Sequence, residues 1–149
     1  MMDYDSIASQ IQALAEGESN MIGLMANTTA VLRELSGWFW IGFYIVDGDE
    51  LKLGPFQGPP ACMSIPFGKG VCGASWERGE TIIVGDVEQF PGHIACSALS
   101  RSEIVVPLRD VEGNVWAVLD IDSDRTDTFT ERDAAGLQKV TSHIIPKPL

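Results

Sequence analysis

Cys96 is the residue whose type and surroundings are best suited to chemistry. It lies on a loop of small residues that begins after Phe90, and no aliphatic run surrounds it. His93 precedes it by three residues and Glu103 follows it by seven. A cysteine on such a loop, near a histidine and a carboxylate, is accessible to a substrate and reacts as a thiolate. The sequence therefore predicts a reactive thiol site on this loop.

Two further cysteines lie in a segment rich in glycine and proline, between residues 54 and 73. They are Cys62 and Cys72, and the composition around them rules out a long regular element. The chain has no C-x-x-C pair, so neither a zinc ribbon nor a thioredoxin-type dithiol is indicated. The irregular spacing also disfavours zinc held by the cysteines and His93, although that site stays open, as does a packed, inert Cys72.

Pairs of polar and aromatic residues are candidates for the lining of a pocket. Asp120 and Asp122 share one face of a predicted strand, where they would repel if buried and the pKa of one would rise. The alternative is that the strand ends there and both carboxylates are solvated. Trp40 and Tyr44 form a similar pair on an earlier strand, and they either pack in the core or shape a small-molecule site.

The elements that must position these residues follow from the periodicity of apolar residues. Helical spacing predicts helices over residues 4–16 and 20–35, and a last helix from the capping box Thr130–Asp133 to Pro146. Between them the apolar residues alternate, and short loops between the strands predict antiparallel pairing. The predicted strands cover residues 38–46, 51–56, 81–84, 104–108 and 115–123, with a short helix over residues 71–78.

Strands grouped between terminal helices predict an α+β fold. We expect one antiparallel sheet with helices on one face and a small-molecule pocket on the other. Alternation places Phe39 beside Ile41 on one face of the first strand, and Trp116 beside Val118 on one face of the last. Pro107 places its strand at an edge of the sheet or near its own end.

Composition and charge limit the partners and the location. The chain has 149 residues, 21 of them acidic and 10 basic, with a net charge of −11. Nucleic acids and anionic membranes are bound by clustered Lys and Arg, so neither is expected as a partner. The first residues lack the features of a signal peptide, and we expect a single domain over residues 1–149 in the cytoplasm. Cysteines there are more often catalytic, redox-active or metal-bound than part of a disulfide framework.

Short segments that carry the cysteines, aromatic residues and carboxylates form a recognisable pattern: Gly42-Phe-Tyr44, Gly58-x-Pro-Ala-Cys62, Ile65-Pro-x-Gly-x-Gly-Val-Cys-Gly73, Asp86-Val87, Phe90-Pro-Gly-His-Ile-Ala-Cys96, Ser102-Glu-Ile-Val-Val-Pro107 and Leu119-Asp-Ile-Asp-Ser123. The pattern resembles the free methionine-(R)-sulfoxide reductases, single GAF domains that reduce free methionine sulfoxide but not the protein-bound residue. It extends from about Trp38 to Ser123, and ordinary GAF domains lack its three cysteines. It departs from the family at Ser97 and Arg101, where Asp and Asn are usual.

The resemblance implies a role for each cysteine. Cys96 would be the nucleophile, Cys62 the resolving cysteine and Cys72 an accessory thiol. Attack of a thiolate on the sulfoxide sulfur leaves a sulfenic acid, and a second thiol then forms a disulfide. The family implies no prosthetic cofactor and an external dithiol such as thioredoxin as reductant and partner, and it leaves a homodimer open.

The resemblance also implies a substrate pocket for free methionine sulfoxide. A carboxylic acid with a raised pKa can protonate the sulfoxide oxygen, carboxylates can pair with the ammonium group, and aromatic rings suit the S-methyl end. The alternative is a GAF module that binds a small molecule without chemistry. The residues implied to line the pocket are Trp40, Tyr44, Glu103, Asp120 and Asp122.

Overall fold

The computed structural model describes residues 2–146, which form four α-helices and six strands. A 3₁₀ turn over Val87–Gln89 precedes the fifth strand. The helices are α1 (Tyr4–Ala15), α2 (Met21–Ser36), α3 (Gly70–Arg78) and α4 (Glu131–Thr141), and the strands are β1 (Trp40–Asp47), β2 (Glu50–Gln57), β3 (Ser64–Pro66), β4 (Ile82–Val84), β5 (Ser102–Arg109) and β6 (Val115–Ser123).

The six strands form one antiparallel sheet in the order β3-β2-β1-β6-β5-β4. The three long helices pack on one face of this sheet, whereas α3 and the long loops cover the other. The predicted α+β fold, with a pocket opposite the long helices, is confirmed. Within the described residues, no helix combines the length and the hydrophobicity needed to cross a membrane.

The core between the sheet and the long helices forms as the periodicity predicts. Side chains at helical spacing on α1, α2 and α4 meet alternate side chains of the central strands. Tyr4 also ties the first helix to the last, because its hydroxyl donates a hydrogen bond to Asp133 at 2.6 Å and its ring lies against Gly136. The fully buried members include Ile7, Ile11, Leu32, Ile41, Phe43, Leu119, Ile121 and Leu137.

The last helix ends earlier than predicted. It stops at Thr141, five residues before Pro146, so the proline does not end it. Beyond it the hydrogen bonds have the i→i−3 spacing of a 3₁₀ turn. His143 N–H donates to the carbonyl of Val140, and Ile144 N–H donates to that of Thr141. Ile144 is still fully buried in the core, although it lies beyond the helix.

Two predicted side-chain faces are wrong, each for a local reason. Phe39 precedes the first residue of β1 and packs on the pocket side, whereas Ile41 packs on the helix side. Near the start of β6 the register shifts, because Arg109 pairs with Val115 and leaves Trp116 without a partner. This bulge turns Trp116 towards the helices, since one extra residue reverses the alternation.

Pro107 lies in the part of β5 that is an edge of the sheet, beyond its pairing with β4. Strand β5 pairs with β6 along its length, but its pairing with β4 extends only from Glu103 to Val105. The proline therefore follows the paired segment, two residues before the strand ends at Arg109, as predicted.

Candidate active site

A disulfide joins two loops on the face of the sheet opposite the long helices. It links Cys62 to Cys96, with Cα atoms 5.3 Å apart and a sequence separation of 34. Cys62 lies on the loop between β2 and β3, and both half-cystines are half-buried. The pair that the resemblance implies as nucleophile and resolving cysteine is thus bonded in the structure, while Cys72 is a free, buried thiol.

The loop that carries Cys96 is shaped by a turn at its start. Pro91 and Gly92 occupy the two central positions of this turn, with φ of +73° at Gly92, and His93 N–H donates to the carbonyl of Phe90 at 3.1 Å. Proline followed by a residue with positive φ is typical of a type II turn. The turn directs His93 and Ile94 into the cavity below.

The cavity below the disulfide brings together almost all of the predicted site residues. With the disulfide closed, it leaves only about 40 Å³ of space for the centres of water molecules. Cys62 is not among the residues that line it. The predicted residues that do line it are Trp40, Tyr44, Cys72, Cys96, Glu103, Asp120 and Asp122.

Strand register places three carboxyl groups side by side in this cavity. Asp120 and Asp122 follow the alternation of β6, and Glu103 pairs with Asp122 across β5 and β6. Asp120 is 6% exposed and Asp122 is half-buried, so the alternative in which both aspartates are solvated is wrong, and Glu103 beside them is 5% exposed. Ser100 donates a hydrogen bond to Asp122 at 3.1 Å, but Oδ1 of Asp120 has no hydrogen-bond partner among the described residues.

Burial in a cluster of like charges makes these carboxyl groups weak acids. Burial, with a further contribution from the charge of Asp122, raises the pKa of Glu103 to about 8. Burial also raises the pKa of Asp120 and of Asp122 well above their usual range, and each is raised further by the charge of a neighbouring carboxylate. Of the described residues that line the cavity, none is Lys or Arg. The cluster therefore retains protons at neutral pH.

Cys72 lies in the first turn of α3, directly against the carboxyl cluster. Its sulfur and one carboxyl oxygen each from Glu103 and Asp120 all lie within 4.8 Å of one another. Burial, followed by the charges of Asp120 and Glu103, raises the pKa of the Cys72 thiol well above its usual range. Cys72 is thus a neutral thiol at neutral pH, and it faces the site.

Aromatic rings form one wall of the cavity and anchor the Cys62 loop. Trp40 stacks on Phe56, with ring centroids 5.3 Å apart, and on Tyr44 at 6.1 Å. The indole N–H of Trp40 donates to the carbonyl of Pro59, and the Tyr44 hydroxyl donates to that of Cys62, both at 3.0 Å. These rings therefore hold the Cys62 loop against β1.

Two residues that contact the site were not predicted as part of it. Nε2 of His93 lies 3.7 Å from Oε1 of Glu103, and burial lowers the pKa of its imidazole, so the ring is neutral at neutral pH. The spacing of His93 from Cys96 was the signal in the sequence. Ser100 reaches Asp122 across 22 positions of sequence, and no local pattern predicts that contact.

Comparison with known proteins identifies the family. The GAF domain family model matches residues 18–144. The free methionine-R-sulfoxide reductase of Escherichia coli K12 is 44% identical over 95% of this chain and 86% of its own length. The chain belongs to the free methionine-R-sulfoxide reductase family of GAF domains. GAF domain-containing protein A of Dictyostelium discoideum is 52% identical over 92% of this chain and 87% of its own.

A solved structure of another free methionine-R-sulfoxide reductase confirms the predicted GAF fold. The enzyme from Neisseria meningitidis, in complex with its substrate, superposes with a TM-score of 0.91 and 51% identity. The match covers 95% of this chain and 85% of that one. The chain described here carries two cysteines at its cavity that can cycle between thiols and a disulfide. Beside them lie protonated carboxyl groups, which can give a proton to an oxygen atom.

Proposed function

We propose that this protein reduces free L-methionine-(R)-sulfoxide to methionine, with a dithiol as the final electron donor. The observation that carries the proposal is the position of the Cys62–Cys96 disulfide above a cavity of buried carboxyl groups and stacked aromatic rings. The disulfide is the form of the enzyme that follows one turnover.

The thiol chemistry assigns a separate step to each half-cystine. In the reduced enzyme, the Cys96 thiolate attacks the sulfoxide sulfur, methionine leaves, and the oxygen remains on Cys96 as a sulfenic acid. The Cys62 thiol then displaces that oxygen as water and forms the disulfide. Cys96 is assigned as the nucleophile because it lines the cavity, whereas Cys62 is not among the lining residues.

Protonation of the sulfoxide oxygen requires a neutral acid inside the cavity. The raised pKa of Glu103, about 8, keeps this carboxyl protonated at neutral pH, within the buried cluster that lines the site. Such an acid lowers the barrier because the departing oxygen would otherwise carry the developing negative charge.

The remaining carboxylates provide a site for the ammonium group of a free amino acid. Asp120 and Asp122 are difficult to ionise together, because the described lining of the cavity contains neither Lys nor Arg. An ammonium that enters takes the place of a carboxyl proton and forms charge-assisted hydrogen bonds, worth about 1.5–3 kcal/mol each when well formed. A methionine within a polypeptide has no such group, so the site selects the free amino acid.

The closed disulfide leaves too little room for the substrate. A cavity of about 40 Å³ holds only a few water molecules, at roughly 10–15 Å³ for each. Reduction of the bridge must therefore precede binding, and an external dithiol such as thioredoxin supplies the electrons by exchange with the half-buried cystine. A protein with this requirement works in the reducing cytoplasm and needs no prosthetic cofactor.

An assay of dithiol-dependent reduction on the two free sulfoxide epimers tests the proposal. We expect methionine to form from the R epimer only, with one dithiol consumed per methionine. Absence of turnover with both epimers, at dithiol concentrations that keep the cystine reduced, would contradict the reductase. Calorimetric binding of methionine sulfoxide without turnover would instead indicate a GAF module that only senses its ligand.

A further inference from the structure

The buried cluster of Cys72, Glu103 and Asp120 joins a thiol to two carboxyl groups inside the cavity. We propose that this cluster binds one thiophilic divalent cation, Zn²⁺ or Cd²⁺, while the Cys62–Cys96 disulfide is closed. The proposal concerns the oxidised protein and does not rest on its turnover.

The distances suit an ion of this kind. The Cys72 sulfur and one oxygen from each carboxyl group lie within 4.8 Å of one another. Zinc bonds of about 2.3 Å to sulfur and 2.0–2.2 Å to oxygen bring tetrahedral ligands to within roughly 3.5 Å of each other. The ligand atoms must approach one another by up to about 1.3 Å, which rotations of the Glu103 and Asp120 side chains supply. A water completes the tetrahedron.

An unpartnered oxygen is the second, independent observation. Oδ1 of Asp120 is buried and accepts no hydrogen bond from any described residue, although the whole residue is only 6% exposed. A buried acceptor without a partner costs free energy, and a buried carboxylate costs more. The described lining of the cavity offers no Lys or Arg that could pair with it. A bound cation would satisfy this oxygen and offset the charge that the cluster acquires when it gives up its protons.

The size of the cavity favours an ion over a larger ligand. About 40 Å³ of space accommodates a bare cation with a water but excludes an amino acid as large as methionine sulfoxide. The cation displaces the proton of the Cys72 thiol and a proton from the carboxyl cluster, and no electron moves. Because the ion and an ammonium group need the same Asp120 carboxylate, a bound ion and a bound amino acid exclude each other.

The oxidised protein allows an unusually specific measurement. The chain has three cysteines and the disulfide uses two, so Cys72 is the sole free thiol. Cd²⁺ is titrated into the oxidised protein, prepared without a histidine tag, and followed by equilibrium dialysis and by the ultraviolet thiolate-to-cadmium charge-transfer band. We expect one equivalent to bind and the band to rise with the same stoichiometry. Absence of the band at saturating Cd²⁺ overturns the proposal.

Matched substitutions separate the cluster from the acidic surface. Cys72→Ser should abolish the charge-transfer band, and Asp120→Asn, which keeps the thiol, should weaken binding at least about 10-fold, as loss of a ligand does. Asp49→Asn, at an exposed carboxylate in the turn between β1 and β2, should change neither quantity. Unchanged affinity in both cluster variants would show that Cd²⁺ binds only surface acids. If Asp120→Asn fails to fold by circular dichroism, Glu103→Gln replaces it with the same expectation.

Discussion

Glu103 and Asp5 are both carboxylic acids, but their surroundings give them opposite properties. Asp5 is exposed, and a hydrogen bond from Lys139 lowers the pKa of its carboxyl group. Glu103 is buried beside other carboxyl groups without a basic partner, and its pKa rises to about 8. The reaction that we propose depends on this difference, because only a carboxyl group that is still protonated near pH 7 can donate a proton there.

Substitution of Cys96 by serine should abolish reduction of free methionine sulfoxide, even with a strong chemical dithiol. A serine hydroxyl is far less acidic than a thiol and forms no sulfenic acid or disulfide. Steady-state assays of Cys96→Ser would be compared with those of Ala98→Ser, a change at an exposed position of the same loop that keeps Cys96. Turnover of Cys96→Ser at the rate of the unmodified protein would assign the nucleophile to another thiol.

The two aspartates of β6 should make the enzyme prefer free methionine-(R)-sulfoxide to its N-acetyl form. Asp120→Asn and Asp122→Asn should each reduce kcat/KM for free methionine-(R)-sulfoxide about 10-fold or more, through KM if the group pairs with the ammonium and through kcat if it donates the proton. The unmodified protein should discriminate strongly against the N-acetyl form, which lacks the ammonium. Equal kcat/KM for the free and acetylated substrates would disprove the ammonium site.

The activity of the reduced enzyme should fall as the pH rises through about 8. Glu103 is protonated below its pKa of about 8 and loses its proton above it, so the donor disappears on the alkaline side. In a profile of kcat/KM against pH, Glu103→Gln should lose this alkaline limb and lower the rate about 100-fold at neutral pH. Glu88→Gln, at an exposed position, should leave the profile unchanged, and an alkaline limb that persists in Glu103→Gln would exclude Glu103 as the donor.

Glycines pack closely against aromatic rings on both sides of the sheet. Gly42 of β1 lies against the ring of Trp40 and against Phe56 on the pocket side, and Gly136 of α4 lies against the ring of Tyr4 on the helix side. A methyl group at either position would collide with those side chains. A glycine-to-alanine substitution can therefore be compared at two positions, one beside the pocket and one between helices α1 and α4.

Gly42→Ala should impair the site, whereas Gly136→Ala should impair only stability. Each should lower the free energy of unfolding by about 1–3 kcal/mol, because both overpack an ordered contact. Gly42→Ala should also lower kcat/KM, since it displaces the Trp40 wall of the cavity, while Gly136→Ala should retain the unmodified value at temperatures where it is folded. Chemical denaturation and kinetics on the same samples measure both quantities. Equal kcat/KM in the two variants would show that the position of Trp40 does not matter for activity.

The stability of the whole molecule reflects the cost of the buried acids. Because the folded pKa of Glu103, about 8, exceeds its usual value of 4.5, the folded state keeps a proton that the unfolded state loses between these pH values. The contribution to stability is therefore fully present below about pH 4.5 and is lost as pH rises through about 8. Its slope is up to about 1.4 kcal/mol per pH unit for each such proton.

Glu103→Gln should therefore be more stable than the unmodified protein at pH 8, and the two should converge towards pH 5. Denaturant unfolding of the oxidised proteins at a series of pH values measures the difference. Glu88→Gln again provides the control, since Glu88 is exposed and lies outside the cavity. A difference between Glu103→Gln and the unmodified protein that does not change with pH would mean that Glu103 is already ionised in the folded state.

The architecture and most residues of the cavity could be predicted from the sequence. Apolar periodicity of 3.6 and 2 residues identified the long helices and the central strands, because each must bury one side against the same core. The short strand β3 was missed, since three residues among glycines and prolines carry no period. Alternation along β6 paired Asp120 with Asp122, and the resemblance to a family supplied the partners of Cys96.

The relative positions, burial and acidity of these groups could not be predicted, because they depend on contacts between distant parts of the chain. Register between β5 and β6 placed Glu103 opposite Asp122, and the bulge near Arg109 reversed the direction of Trp116; both depend on pairing between distant segments. Burial of the carboxyl groups, and hence their raised pKa values, comes from loops that fold over the sheet. Residues close in sequence determine local conformation, but solvent exclusion and the contact of Ser100 with Asp122 exist only once the whole chain has packed.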